Sequence, residues 1–338
     1  MSGPKVTIAF PTYRARPALF LPALEAALAQ TFTDREVIVV DDGSDDEVLR
    51  AAAERGATVH RNAERQGLAG NWNRCVELAR GELVNVAHQD DLMAPTFLAR
   101  AVAALDAAPR AGFAHTAWRS VDETGAPTGE RWEHLELDHL ADFVRDGRDY
   151  FQRIVTLHTP VCCPTAVYRR AALLGVGGFD RAYGFAADLD LFLRITLDHD
   201  VAYVHEVLYA YRRHAGSTTS QHTLAQMNAE LLRAKRDAVD LAARRGLLPP
   251  AAVARLRAAV AREGLKKARK VAFDAPAAAL REVRNAARLR PLTLASENGV
   301  VAVTRAAWAM VRQAAGLPPG SRSARRPKRG PPPPVQAS

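Results

Sequence analysis

The sequence predicts an α/β fold, a doubly wound mixed, mainly parallel sheet followed by a helical C-terminal extension. Three observations lead there. Short β-branched runs alternate with helical stretches through roughly the first 215 residues, the rhythm of βαβ units. Acidic pairs, Asp41-Asp42 and Asp90-Asp91, fall where two of those runs end, and in open α/β sheets ligands collect beyond the carboxyl ends of strands. From about Leu224 the pattern turns helical throughout.

The elements follow in order. VTIAF (6–10) is a strand and Pro17 to Gln30 a helix. EVIVVDD (36–42), ATVHRN (57–62) and ELVNVAH (82–88) are further strands, with helices near 46–55 and 68–80 between them. Residues 119–150 are polar and irregular and read as a loop-rich insertion. A strand near 165–169, a turn at Gly175, Gly177 and Gly178, a helix from about Asp188 and a strand-like run over 200–214 complete this part. Helices are then expected at 224–245, 251–272, 276–289 and 299–315, punctuated by Gly246, Pro249-Pro250, Pro276 and Pro291. The basic, Pro-rich end has almost no apolar anchors and is expected to be disordered. The domain reading is therefore 1–222, 223–318 and 319–338.

Composition bounds the class. The 338 residues are 48% hydrophobic and 25% charged, ordinary for a soluble globular chain. No run approaches the roughly 20 apolar residues of a membrane span. MSGPKVTIAFP lacks the features of a signal peptide, and Cys75, Cys162 and Cys163 have no zinc-like spacing. A reducing, cytoplasmic setting is the expectation. The net charge of +9 is unevenly spread: residues 1–224 hold 23 Lys and Arg against 30 Asp and Glu, and residues 225–338 hold 23 against 7. An acidic front with a basic addition suggests two jobs.

Several short stretches could carry chemistry. Pro11-Thr12-Tyr13 ends the first strand, as ligand contact or as an ordinary strand-to-helix turn. VVDDGSDDE offers a turn with capping potential, or a carboxylate for ribose or base. The adjacent Asp90 and Asp91 repel unless something positive offsets them, and hard divalent cations take oxygen ligands from one or two carboxylates and share phosphate. Asp188 and Asp190 open a helix, where acids suit the dipole. Asp190 fits that role, whereas Asp188 also suits a general base. YAYRRHAGST supplies Arg212, Arg213 and His214, and a lone His is usually structural.

Taken together and in this order, PTYR (11–14), VVDDGSDD (39–46), QGLAGNWNRCVELARGE (66–82), HQDDLMAP (88–95), GGFDRAYGFAADLDLFLR (177–194) and LYAYRRHAGSTT (208–219) resemble a family 2 inverting glycosyltransferase of GT-A fold. The resemblance covers about the first two thirds of the chain. It implies that Pro11 and Thr12 line the nucleotide pocket and that Asp42 binds base or ribose, with Tyr13 and Asn73 in the same donor site. Asp90 and Arg212 fall at the diphosphate. Asp91 and His214 become ligands of Mn²⁺ or Mg²⁺, and Asp188 the catalytic base. The partners implied are a nucleotide-diphosphate sugar donor and a saccharide or lipid-linked acceptor.

Three positions depart from the family pattern. His88 stands where an acid is frequent two places before Asp90, Ala187 where a Glu commonly precedes the base, and Trp72 where an Arg often precedes Asn73. The departures at His88 and Ala187 keep a second reading open, a glycosyltransferase-like binding or scaffold protein without turnover. A sugar nucleotidyltransferase would want a Gly-rich, basic loop after the first strand, which PTYRARP does not supply. The basic helix 251–272 and the helix 299–315, with Trp308, suggest contact with anionic lipid headgroups, or simple packing with a solvated basic face. No recognition motif supports nucleic acid.

Overall fold

The computed structural model describes residues 3–128, 141–157, 161–289 and 296–314. Its central strands are apolar on both faces. In β1 (Val6–Thr12), Val6, Ile8 and Phe10 enter the larger core while Ala9 points to the other side, where it meets Ile38, Val40 and Cys75. Two-residue alternation with both faces covered is the signature of a buried parallel strand. β2 (Arg35–Asp41) runs parallel to β1, with Val6 opposite Arg35 and Thr12 opposite Asp41. β3 (Thr58–Arg61) and β4 (Leu83–Val86) join β2 and β1 respectively, also in parallel.

Helices cover the two faces. α1 (Pro17–Leu28) starts with Pro in its first turn, where no amide donor is needed. It buries Leu19, Phe20, Ala23, Leu24 and Ala27. Phe20 meets Phe10 edge to face with centroids 5.8 Å apart, a geometry that adds about 0.5–1.5 kcal/mol beyond burial. α2 (Asp46–Glu54) packs Val48, Leu49 and Ala52 into the same core. α3 (Gly67–Leu78) supplies Cys75 to the opposite face.

The sheet continues past β4 with mixed directions. β5 (Leu92–Met93) and α4 (Phe97–Ala107) lead to β6 (Ala111–Val121), β7 (Phe143–Arg145), α5 (Gly147–Thr156), β8 (Val167–Arg169), α6 (Arg170–Gly175), α7 (Ala187–Ile195) and β9 (Asp200–Arg212). The nine-stranded order is β3-β2-β1-β4-β8-β6-β9-β5, with β7 on β9. β8 is antiparallel to β4 and β6, while β6 and β9 form a long parallel ladder with bulges. The expected doubly wound, mixed, mainly parallel α/β sheet is therefore present. α4 and β6 go beyond the sequence reading. The loop reading of 119–150 is corrected at both ends: β6 reaches Val121, and β7 and the start of α5 occupy 143–150. The middle of that stretch, 129–140, lies outside the described residues, as does the tail expected to be disordered.

Four further helices follow: α8 (Leu224–Arg244), α9 (Pro250–Val271), α10 (Pro276–Leu289) and α11 (Glu297–Ala314). α8 opens with a capping box between Thr223 and Gln226, which satisfies two end donors reciprocally. The chain divides into two compact units, Met1–Val260 and Ala261–Ser338, the division falling inside α9. In the second unit, α11 buries the small residues Ala302, Ala306 and Ala309 and exposes Val300, Val303, Trp308, Met310 and Val311. Among the described residues no helix is long and apolar enough to cross a membrane.

Candidate active site

Parallel pairing brings the ends of β1, β2 and β4 to one edge of the sheet, where the Asp42 amide donates to Thr12 O at 2.8 Å and the Ala87 amide to Ala9 O at 2.9 Å. The first acidic pair divides its work there. Asp41 is fully buried and accepts from Thr12 Oγ1 at 2.9 Å, from the amides of Gly43 and Ser44, and from Arg61 Nε at 3.2 Å. Burial pushes its carboxyl up, but the Ser44, Thr12 and Gly43 donors outweigh it and hold the group below its ordinary range. Asp42 accepts from the Gln66 and Gly67 amides at 2.6 and 2.8 Å and from Asn62 Nδ2 at 3.1 Å. It thereby closes the start of α3, where a negative group suits the dipole.

The second acidic pair sits across from it. Gln89 reaches back to the end of β1, accepting from the Tyr13 amide at 3.0 Å and donating to Tyr13 O at 3.2 Å. The Arg65 guanidinium lies 4.2 Å from the Tyr13 ring centroid, within cation–π range. Asp90 meets His214 Nε2 at 2.7 Å. Asp91, 2% exposed, accepts the Arg212 amide on Oδ1 at 2.7 Å and lies 3.3 Å from His88 Nδ1 on Oδ2. Burial and the neighbouring Asp90 charge push the Asp91 carboxyl above its usual range, against the pull of His88. Burial works against a charged His88, yet Asp91 and Cys163 together raise it. The hydrogen bond to Asp90 raises His214, against its own desolvation.

His88, Asp90 and Asp91 each offer a ligand atom, and these lie within 4.8 Å of one another. Asp91 Oδ2 is buried with the 3.3 Å contact to His88 Nδ1 and no full hydrogen bond, so the acidic pair has coordinating capacity to spare. Two carboxylates and an imidazole form a donor set that Mn²⁺ takes readily and Mg²⁺ accepts through the oxygens. The residues present thus fit a divalent ion. His214 joins this group through Asp90, its Nε2 already engaged there.

Asp188 lies in the first turn of α7. Burial pushes its carboxyl up to about 6, against the Leu189 amide at 2.7 Å and the charge of His88. Asp190 instead grips Arg194 at 2.8 and 2.6 Å, and Arg194 donates to Gly178 O at 2.7 Å. It anchors the glycine turn more than it caps the helix.

Two expected donor-site residues are placed otherwise. Asn73 spends both ends of its amide on the Phe179 backbone at 2.8 Å each, so it ties α3 to the glycine turn and is not brought to the cluster. Gly178, at φ +73°, makes room for it, since a Cβ there would lie 2.5 Å from Asn73 Oδ1. Arg212 touches Asp91 through its backbone only, its guanidinium donating to Glu123 O at 2.9 Å. Beside the cluster an open cleft of about 460 Å³ is lined by Arg213, His214, Ser217, Thr219 and Ser220. Sequence reasoning missed Gln89, whose only signal was its place beside the acidic pair, and it did not foresee that His88 lies within 4.8 Å of the ligand atoms of Asp90 and Asp91.

A sequence model of glycosyl transferase family 2 matches residues 7–176. The chain belongs to this family. Among relatives of this glycosyltransferase, an uncharacterized protein of Mycobacterium tuberculosis is 31% identical over 233 residues, covering 66% of this chain and 71% of that protein. A putative glycosyltransferase, EpsE, of Bacillus subtilis is 28% identical over 220 residues, 62% of this chain and 74% of its own. Other relatives are longer: the match to a chondroitin synthase of Escherichia coli, at 23% identity, spans 64% of this chain and 30% of that one. In fold, the glycosyltransferase resembles TarS 1–349 of Staphylococcus aureus solved with UDP-GlcNAc, at TM-score 0.65 and 18% identity over 93% of this chain and 92% of that one. It also resembles the mannosyltransferase PcManGT of Pyrobaculum calidifontis in complex with GDP-Man and Mn²⁺, at TM-score 0.56 and 21% identity over 92% and 87%.

Proposed function

We propose that this glycosyltransferase moves a hexose from a nucleotide-diphosphate sugar to an acceptor hydroxyl in one inverting displacement, with Asp188 as base. The observation that carries this reading is the Asp188 carboxyl, raised to about 6 by burial and feeling the charge of His88, one of the three residues of the His88–Asp90–Asp91 group. A base poised near neutrality holds and passes a proton efficiently. Asp188 accepts the proton of the acceptor hydroxyl while that oxygen attacks the anomeric carbon opposite the diphosphate. Asp91 and Asp90, with His88 or His214, hold Mn²⁺ or Mg²⁺, which when bound stabilises the charge of the departing diphosphate. The open cleft, lined by Arg213, Ser217 and Thr219 among others, suits phosphate oxygens. In this reading Pro11 and Tyr13 face the nucleotide, and Thr12, buried on Asp41, shapes that pocket with Asp42.

Two complexes support a nucleotide-sugar donor, TarS with UDP-GlcNAc and PcManGT with GDP-Man and Mn²⁺. Relatives named for chondroitin synthesis and O-antigen biosynthesis support a saccharide or lipid-linked acceptor in envelope or polysaccharide assembly. We assign catalysis to 1–222 and a supporting role to the helices of 223–318. The exposed apolar face of α11, with Arg305 and Arg312 beside it, suits a peripheral position on an anionic membrane, on its cytoplasmic side.

Thermal unfolding against UDP, GDP, dTDP and CDP, each with and without Mn²⁺, tests the site. A ligand at 100 times its Kd adds about 2.7 kcal/mol, so one diphosphate should raise the midpoint by several degrees, and more with the ion. Asp91→Asn should lose the ion-dependent part alone. Stabilisation that ignores the ion would remove it from the mechanism. Release of nucleoside diphosphate from a sugar nucleotide separates an enzyme from a non-catalytic donor-binding relative, and the anomeric coupling constant of the product reports inversion.

A further inference from the structure

The segment just before Asp188 is held by α8, a helix outside every motif that marks the site. Glu230 Oε2 accepts three consecutive backbone amides, from Gly184 at 3.0 Å, Phe185 at 2.6 Å and Ala186 at 3.1 Å. Ala186 is the N-cap residue of α7 and has no side chain to cap with. The first amides of a helix lack intrahelical partners and attract negative charge. Glu230 gives this end a carboxylate from another helix, bonded just ahead of the turn that carries Asp188.

The same face of α8 grips the segment at two more points. Tyr183, 3% exposed, donates its hydroxyl to Asp237 Oδ2 at 2.6 Å. The Arg233 guanidinium lies 4.6 Å from the Tyr183 ring centroid and donates to Ala182 O at 3.2 Å. Glu230, Arg233 and Asp237 recur at spacings of three and four, so they share one side of the helix. Five consecutive residues, 182 to 186, are therefore each bonded to α8 through a backbone or side-chain atom. The other bonds of segment 182–186 are local: the Ala182 and Tyr183 amides bond to Asp180, and Ala186 O accepts the Asp190 amide as α7 begins.

We infer that Glu230 is a positioning residue for catalysis: it fixes the backbone entering α7 so that the Asp188 carboxylate faces the acceptor oxygen. This rests on the reading of Asp188 as the base. A displacement of about 1 Å at such a group costs on the order of 10²-fold in rate, and Glu230 acts on that displacement without touching donor or acceptor. Three amides on one oxygen make the clamp depend on an acceptor at that point more than on the size of the side chain. Gln keeps such an acceptor and Ala does not.

The test uses the full chain with Mn²⁺. UDP-N-acetylglucosamine and GDP-mannose serve as turnover probes, UDP and GDP as binding probes, and amide hydrogen exchange is followed over 182–189. Glu230→Ala should lower kcat by about 10–100-fold, leave the Kd of the diphosphate unchanged and speed exchange in that segment. Glu230→Gln should recover most of the rate. Tyr183→Phe, which removes only the hydroxyl on Asp237, should give a smaller loss of the same kind and serves if Glu230→Ala does not fold. Wild-type kcat in Glu230→Ala, or in Tyr183→Phe should that one alone fold, overturns the proposal. Loss of diphosphate binding in step with kcat also overturns it, because the residue would then shape the donor site. Asp188→Asn, run alongside, separates the two ideas: an active Asp188→Asn sinks the base itself, whereas an inactive one beside a fully active Glu230→Ala sinks only the clamp.

Discussion

Trp72 lies nearly parallel to His88, with 22° between the ring planes and 5.9 Å between centroids. Two positions at which this chain departs from its family's usual pattern therefore meet in space. Trp72 also stands edge-on to Phe179, centroids 4.9 Å apart, so the indole braces the imidazole from one side while Asp91 holds it from another.

That arrangement sets an expectation for ion choice. An imidazole donor favours Mn²⁺ over Mg²⁺, and a third carboxylate would favour the harder ion. Titration calorimetry in the presence of UDP should show Mn²⁺ binding more tightly than Mg²⁺, and His88→Asp should narrow the gap. An unchanged ratio would place the ion away from His88.

Asp188→Asn should retain diphosphate binding while turnover falls by about 10²–10⁴-fold. In the wild type, kcat should decline as pH drops through about 6, where the buried carboxyl takes up its proton and ceases to act as a base. Stability should move the other way. The folded-state pKa lies above the unfolded value of 3.8, so ionised Asp188 destabilises the fold at neutral pH, by up to about 2–3 kcal/mol. The Asn variant should melt higher at pH 7.5, and its advantage should vanish as pH falls from 6 towards 4. A variant that melts no higher would mean that water reaches the carboxylate freely.

Asn73→Ala should behave as a structural change. It strips both partners from the Phe179 backbone, at a cost of about 1–3 kcal/mol, seen as a lower denaturant midpoint. Nucleotide affinity at a temperature where the variant is folded should stay within about twofold. A large affinity loss in a stably folded variant would return Asn73 to the donor pocket.

The face of α11 can be read against lipid. Trp308→Ser combined with Val311→Ser removes two exposed apolar groups, the indole also giving up its edge contact with Phe273. Co-sedimentation with vesicles containing phosphatidylglycerol should weaken by at least about tenfold, and wild-type binding should weaken with salt and with neutral lipid. Equal binding by variant and wild type would leave the basic charge alone as the attraction, or none at all.

Legibility from sequence followed burial and chain distance. β1, β2 and β4 were readable because strands covered on both faces are near-continuous apolar runs. β6 hid because Gly112, His115, Thr116 and Arg119 interrupt its run, while β8 and β9 on either side supply its pairing. The order of short motifs points to Asp90, Asp91 and His214, which the structure brings together, and to Asp188. The bonds of Gln89 to Tyr13 and of Asn73 to Phe179 join segments 76 and 106 residues apart, side chain to backbone, and such bonds leave no local pattern. Glu230 is hidden for the same reason.

The reciprocal bonds between Gln89 and Tyr13 have a consequence for how such an enzyme can change. They join main chain on one side to a side-chain amide on the other, so the spacing between the end of β1 and the acidic turn is kept whatever side chain stands at position 13. With Tyr13 in the proposed donor site, substitutions there would change the contact to the nucleotide while the distance to the acids stays as it was. Donor preference would then be free to drift over generations without disturbing the acidic turn.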